Sequence, residues 1–191
     1  EGPFLSPRRA GVHDPAVLRP PDPDALERLL AAFSPALVTL APELPGGLDA
    51  VRQVARAGAV ACVGHTEAGG DVVRAAIGAG ARMLTHAMNA MRGVESRAPS
   101  ALTAFLADPR ARVGLIADGV HVHPEVAAVL ARAAGRRLVL VSDAVAPAGA
   151  PPGDYPLAGR TVTSDGTTVL WEGRLAGSAA GLGRGPAVLA G

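Results

Sequence analysis

Lysine is missing from the 191 residues, and all 18 basic side chains are arginine. This excludes a Schiff-base lysine, the lysine of a phosphate-binding P-loop and a modified lysine bridging two metal ions. Cysteine occurs once, as Cys62, which rules out an internal disulfide and a multi-cysteine zinc site. Cys62 lies inside an apolar run, so its expected state is a buried, inert thiol. Aromatic residues make up 3% of a chain that is 49% hydrophobic, so the core must be built from Ala, Val and Leu. No apolar run reaches the ~18 residues of a membrane span. The net charge is only +1, with arginines scattered along the chain, which argues against a nucleic-acid-binding face. An initiator Met is also lacking: the chain opens "EGPF", with a carboxylate at Glu1.

Five short apolar runs have strand character: 36–41 (ALVTLA), 59–64 (AVACVG), 81–85 (ARMLT), 112–117 (RVGLIA) and 137–142 (RLVLVS). None alternates cleanly with polar residues, as expected of strands covered on both faces. Helical segments are expected between them, over 24–32, 47–57, 71–78, 99–107 and 124–134. Polar residues close the strands at Glu43, His65, His86, Asp118 and Asp143. That spacing allows one strand and one helix per interval, and hence parallel strands with right-handed crossovers. An open doubly wound sheet and a (β/α)8 barrel both fit. No G-x-G-x-x-G follows a first strand, and the strand ends carry His, His and Asp. In a barrel the chemistry sits at those ends, so the expected fold class is α/β, a partial (β/α)8 TIM-type barrel. The expected division is a catalytic barrel segment over 1–150 and an incomplete hairpin-and-loop region over 151–191. Within the latter, "RTVTSDGTTVLW" reads as two strands around Asp165-Gly166, and "EGRLAGSAAGLGRG" reads as loop. Five units are too few to close a barrel. Glu1 is therefore expected to end an earlier strand that lies outside this chain.

His65 and His86 end neighbouring strands, where two imidazoles can converge on one divalent ion. Glu1, on the same rim, suits the third position. A His2Glu set leaves a coordination place open for water, which is the catalytic arrangement. Asp143 closes the last barrel-type strand and is placed to take a proton from that water and return it to a leaving group. Asp118 is followed by Gly119, which favours a turn role.

The strings "EGPF", "GVH", "LAPE", "VGHTEA", "THAMNAM", "IADGVHVHP", "LVSDAVAPAG" and "LAGS" occur in an order and at gaps that resemble the N-acetylglucosamine-6-phosphate deacetylases of the amidohydrolase superfamily. The resemblance implies a metal-dependent hydrolase that removes acetate from an amino-sugar phosphate. It implies Glu1, His65 and His86 as ligands of one divalent ion, with Zn, Fe, Co and Mn all suited to such a set. It implies Asp143 as catalytic acid and base, and His13 as the group that polarises the amide carbonyl. Val12, Asn89, Ala90, His121, Leu175, Ala176, Gly177 and Ser178 match substrate-contacting positions. Arg97 matches an arginine that grips the phosphate across a homodimer interface, and the family's setting is cytoplasmic. His123 matches no functional position. Ala98-Pro99-Ser100 replaces a Glu-Pro-Gly-like stretch, a change of loop that leaves the Arg97 charge in place. The resemblance also implies a small β-sandwich and first barrel strands outside this chain. Alternative readings are an N-acetylgalactosamine-6-phosphate deacetylase, an inactive sugar-phosphate-binding fragment, or a cofactor-free sugar-phosphate isomerase. The last leaves Glu1, His65 and His86 without a joint purpose.

Overall fold

The computed structural model describes residues 1–190. They form a mixed α/β structure that divides into two compact units. The first comprises residues 1–10 and 14–113; the second comprises residues 11–13 and the chain from Gly114 onward. Among the described residues no helix is long and apolar enough to cross a membrane.

The first unit alternates helix and strand: α1 (Pro23–Phe33), β1 (Leu37–Leu40), α2 (Gly47–Arg56), β2 (Val60–Val63), α3 (Gly70–Ala79), β3 (Met83–Leu84), α4 (Ala101–Ala107) and the start of β4 (Arg112–Ile116). β1 pairs with β2, β2 with β3 and β3 with β4, all parallel and in chain order. Each strand returns through a helix because parallel neighbours cannot be joined by a tight turn. Local chemistry sets the helix starts. Asp22 accepts from the Ala25 amide at 2.7 Å ahead of Pro23, an N-cap with proline in the first turn. Ser100 and Thr103 form a reciprocal capping box on α4. That helix therefore starts at Ala101, and Pro99 lies outside it rather than in its first turn. Leu40, Val63, Val73, Ile77, Leu84, Leu102 and Phe105 are buried between sheet and helices. Each contributes ~1.5–3 kcal/mol by leaving water. Of the three phenylalanines, Phe4 and Phe105 are fully buried while Phe33 is 74% exposed, so aliphatic side chains do carry most of this core.

In the second unit β4 continues beside β5 (Leu138–Val141), with α5 (Pro124–Ala134) between them in sequence. Pro124 starts α5, and His123 caps it by accepting from the Glu125 amide. β5 is half-buried along its length, less covered than a strand packed on both faces; it is the last strand of its sheet. A second sheet follows, with β6 (Gly153–Leu157), β7 (Arg160–Ser164), β8 (Thr168–Trp171) and β9 (Arg174–Ser178) antiparallel in that order. The Asp165-Gly166 hairpin joins β7 to β8 as the sequence suggests. Two further strands complete this sheet, one of them, β9, in a stretch expected to be loop. β6 tolerates Pro156 because it is an edge strand, where a missing amide goes unnoticed. β9 forms in "RLAGS" with Ala176 and Ser178 alternating inward, and Ala176 joins Val162, Val169 and Ala179 in a small core. α6 (Gly185–Ala190) ends the described chain.

Candidate active site

Three side chains of the first unit meet beyond the C-terminal ends of its strands. Nε2 of His65 lies 3.1 Å from Nε2 of His86. Of the Glu1 carboxylate, Oε2 stands 3.3 Å from the first nitrogen and Oε1 3.0 Å from the second. A tetrahedral ion with bonds of ~2.0–2.1 Å spaces neighbouring donor atoms about 3.3–3.4 Å apart, close to each of these separations, so the triangle of side chains is of the size that one such ion spans. The donor types suit it too: two imidazole nitrogens and a carboxylate, with no thiolate, fit a borderline divalent cation.

Backbone and neighbours fix these donors. Gly2 donates from its amide to the Thr39 carbonyl, and Ala41 donates to Phe4, which lays the Glu1 segment along β1. His65 Nδ1 lies 2.7 Å from the Arg9 carbonyl oxygen. A carbonyl only accepts, so Nδ1 carries a proton, which leaves Nε2 as the nitrogen able to face a metal ion, the arrangement a metal-bound imidazole uses. His65 follows β2 with φ +47° and His86 follows β3 with φ +26°. Side chains rarely adopt this left-handed backbone, and it tends to be retained at functional sites. Gly64, just before His65, has no room for a side chain: an added Cβ would stand 2.8 Å from Thr39 Cγ2 and from Thr85 Cβ. Those two threonines hydrogen bond to each other at 2.9 Å. The turn after His65 is pinned by Glu43, which accepts from Thr66 Oγ1 at 2.6 Å and from the Glu67 amide at 2.7 Å. Arg9 in turn pairs with Glu67. The Thr66 amide donates to the Ala90 carbonyl, bringing the loop of Asn89 and Ala90 to the same turn. Glu43 reads from sequence only as a strand-closing residue; its signal was its place at the end of β1, equivalent to that of His65 on β2.

The second unit holds Val12, His13, His121, Asp143 and Leu175 through Ser178. Asp143 directly follows Ser142 beyond β5, is exposed, and also has a left-handed backbone, φ +50°. Its carbonyl accepts from the Ser178 amide at 2.8 Å, and the Val145 amide donates to the Ser178 carbonyl. β9 thus clamps the Asp143 loop. Gly177 makes this approach possible: its φ is +82°, and a Cβ there would meet Val145 Cγ1 at 2.5 Å and the Asp143 carbonyl at 3.0 Å. Asp118, 4% exposed, accepts from His121 Nδ1 at 2.8 Å and from Ser178 Oγ at 2.9 Å. Burial raises its pKa, but hydrogen bonds from the His121 ring and amide, the Val120 amide and Ser178 outweigh it and hold the carboxyl well below the usual range. Arg160 lies 3.9 Å above the Trp171 ring and donates to the Val12 carbonyl, steadying the residue before His13.

Arg97 is not part of the Glu1–His65–His86 triangle. It is exposed on the loop between β3 and α4, beside an open cleft of about 530 Å³ lined also by Arg74, Glu95 and Asp108.

No family model matches the chain. Individual proteins do. It is 40% identical to the N-acetylgalactosamine-6-phosphate deacetylase of Escherichia coli O157:H7, over 93% of this chain and 48% of that protein. It is 37% identical to the N-acetylglucosamine-6-phosphate deacetylase of Vibrio furnissii, over 97% of this chain and 47% of that one. A solved structure of the Mycobacterium smegmatis N-acetyl-D-glucosamine-6-phosphate deacetylase, a mutant in complex with N-acetyl-D-glucosamine-6-phosphate, superposes with a TM-score of 0.94 at 40% identity, covering 98% of this chain and 50% of that one. The chain spans about half the length of these relatives. Over the half that it spans, the chain is similar in sequence and in structure to these N-acetylhexosamine-6-phosphate deacetylases.

Proposed function

We propose that the protein hydrolyses the acetamide of N-acetylglucosamine 6-phosphate to acetate and glucosamine 6-phosphate, with one divalent ion held by Glu1, His65 and His86. The observation that carries this reading is the convergence of the two Nε2 atoms and the Glu1 carboxylate, with contacts of 3.0–3.3 Å. When bound, such an ion acidifies a water molecule and polarises a carbonyl. The remaining work falls to side chains. Asp143 accepts a proton as water oxygen attacks the acetamide carbon. His13 donates a hydrogen bond to the carbonyl oxygen as negative charge builds there. Asp143 then passes its proton to the sugar nitrogen, the C–N bond breaks, and acetate leaves with the water oxygen. Val12, Asn89, Ala90, His121 and Leu175 through Ser178 hold the sugar, and their binding energy orients the acetamide.

Arg97 grips the phosphate in this reading. Its exposed position, beside a cleft that Glu1, His65 and His86 do not line, supports a role toward the site of a second subunit in a homodimer. A guanidinium fork suits a phosphate. The parallel strands, ordered as in a (β/α)8 barrel, form an arc of that barrel over 1–150, and 151–191 leads to a smaller β domain. The setting is cytoplasmic.

A second reading has the galacto epimer as substrate, favoured by the 40% identical E. coli O157:H7 relative. Acetate release from both N-acetylhexosamine 6-phosphates, compared as kcat/KM, decides between them. The gluco substrate is expected to be preferred; a preference for the galacto substrate selects the second reading, and release from neither refutes both.

A further inference from the structure

We propose that Asp118 is the positioning residue of the sugar-binding side of the site, fixing His121 with Nδ1–H turned inward and Nε2 left as a bare acceptor for a sugar hydroxyl. This rests on the reading above, in which His121 and Ser178 contact the sugar.

The argument is one of saturation. An ionised carboxylate offers about four acceptor positions and no donor. Oδ1 of Asp118 takes the Val120 amide at 2.9 Å and the His121 amide at 2.9 Å. Oδ2 takes His121 Nδ1 at 2.8 Å and Ser178 Oγ at 2.9 Å. All four positions are used, so Asp118 has no capacity left for a substrate proton and is not a second general base. Its place at the end of β4 suits orientation instead. Since the carboxylate cannot donate, His121 must carry its proton on Nδ1. In the neutral ring Nε2 is then an acceptor, and the group that it recognises is a donor, which a sugar hydroxyl is and a phosphate oxygen is not. The His121 side chain is 6% exposed, which leaves it little freedom to turn. Ser178 is committed in the same way. Its hydroxyl donates to Asp118 and accepts from the Ala180 amide, while its own amide holds the Asp143 carbonyl. One buried carboxylate thereby sets both the ring that reads the sugar and the strand that clamps the loop of Asp143.

The direct test is the protonation state of His121 in the native protein, read from the ring nitrogens by 15N–1H correlation NMR near pH 7.5. We expect a proton on Nδ1 and none on Nε2. A neutral ring protonated on Nε2, or a doubly protonated ring, overturns the proposal. This readout needs neither substrate nor turnover. If the tautomer is as expected but neither sugar phosphate is hydrolysed, the functional reading fails while the positioning stands. In Asp118→Asn, whose side-chain NH2 opposes Nδ1–H, the ring is expected to change tautomer. KM for the sugar phosphate should rise roughly 10- to 100-fold, with bound metal as in the parent. An unchanged tautomer with unchanged KM contradicts it. Should that variant not fold, Ser178→Ala keeps His121 on Asp118 and is expected to retain the Nδ1–H tautomer; its loss there would show that Asp118 alone does not set the ring.

Discussion

His65 and His86 bring their Nε2 atoms to 3.1 Å from each other, with the Glu1 carboxylate on both. Two ring nitrogens and a carboxylate at such distances need a proton or a cation among them. The fixed Nδ1–H of His65 on the Arg9 carbonyl means that the ring cannot relieve this by changing tautomer without losing a bond. Such a cluster of donor atoms suits a shared cation, and the remaining chemistry can be tested around it.

Asp143→Asn removes the proposed proton acceptor and leaves the Glu1, His65 and His86 side chains as they are. Turnover is expected to fall by about 10²- to 10⁴-fold while metal content stays that of the parent. Steady-state kinetics with metal analysis checks both. A near-normal kcat removes Asp143 from this role.

Gly177→Ala places a methyl group 2.5 Å from Val145 Cγ1 on a backbone with φ +82°. The left-handed conformation alone costs ~1–2 kcal/mol, and the contact with Val145 adds to it. We expect a lower Tm by calorimetry together with a reduced kcat, because the Asp143 loop is displaced. A Tm equal to the parent's refutes the clamp.

The Asp118 carboxyl is held low by its hydrogen bonds despite the opposing effect of burial. A group whose pKa falls on folding stabilises the native state above its unfolded value, ~3.9. That contribution is lost as pH drops toward the folded value. The stability gap between the parent and Asp118→Asn should thus be larger at pH 7.5 than at pH 3, narrowing below about pH 4. Denaturant titrations at the two pH values measure it, and an equal gap at both contradicts the assignment.

Cys62 is buried, and burial pushes its thiol up to about 12 despite a hydrogen bond with Thr85. The native protein should resist alkylation at pH 8 and react on unfolding, since only the thiolate attacks. Rapid labelling of the folded chain would show that β2 opens readily.

Much of the frame was legible because each strand is a short β-branched or Leu-rich run ended by a polar residue, and that punctuation survives in β1 through β5. The places of His65 and His86 at neighbouring strand ends follow from the same pattern. β6 and β9 were not legible. Pro156 and Gly153 disguise the first, and β9 is so rich in small residues that its inward alternation carries little hydrophobic signal. Asp118 was hidden for another reason. Its partner His121 lies three residues away, but Ser178 is 60 residues distant and meets it only through the pairing of β9 with the Asp143 loop. No local pattern reports such a contact. The pinning of the His65 turn by Glu43 is equally non-local.

The central claim is a metal centre on three named side chains, and a metal titration tests it most directly. The chain is stripped with chelator, titrated with Zn²⁺ by calorimetry, and compared with His65→Asn and His86→Asn variants. We expect one equivalent bound by the parent. Each variant should lose more than about 100-fold in affinity, since even partners that only orient a ligand cost 10- to 100-fold. A parent that binds no metal, or variants that bind it as tightly as the parent, would contradict the account.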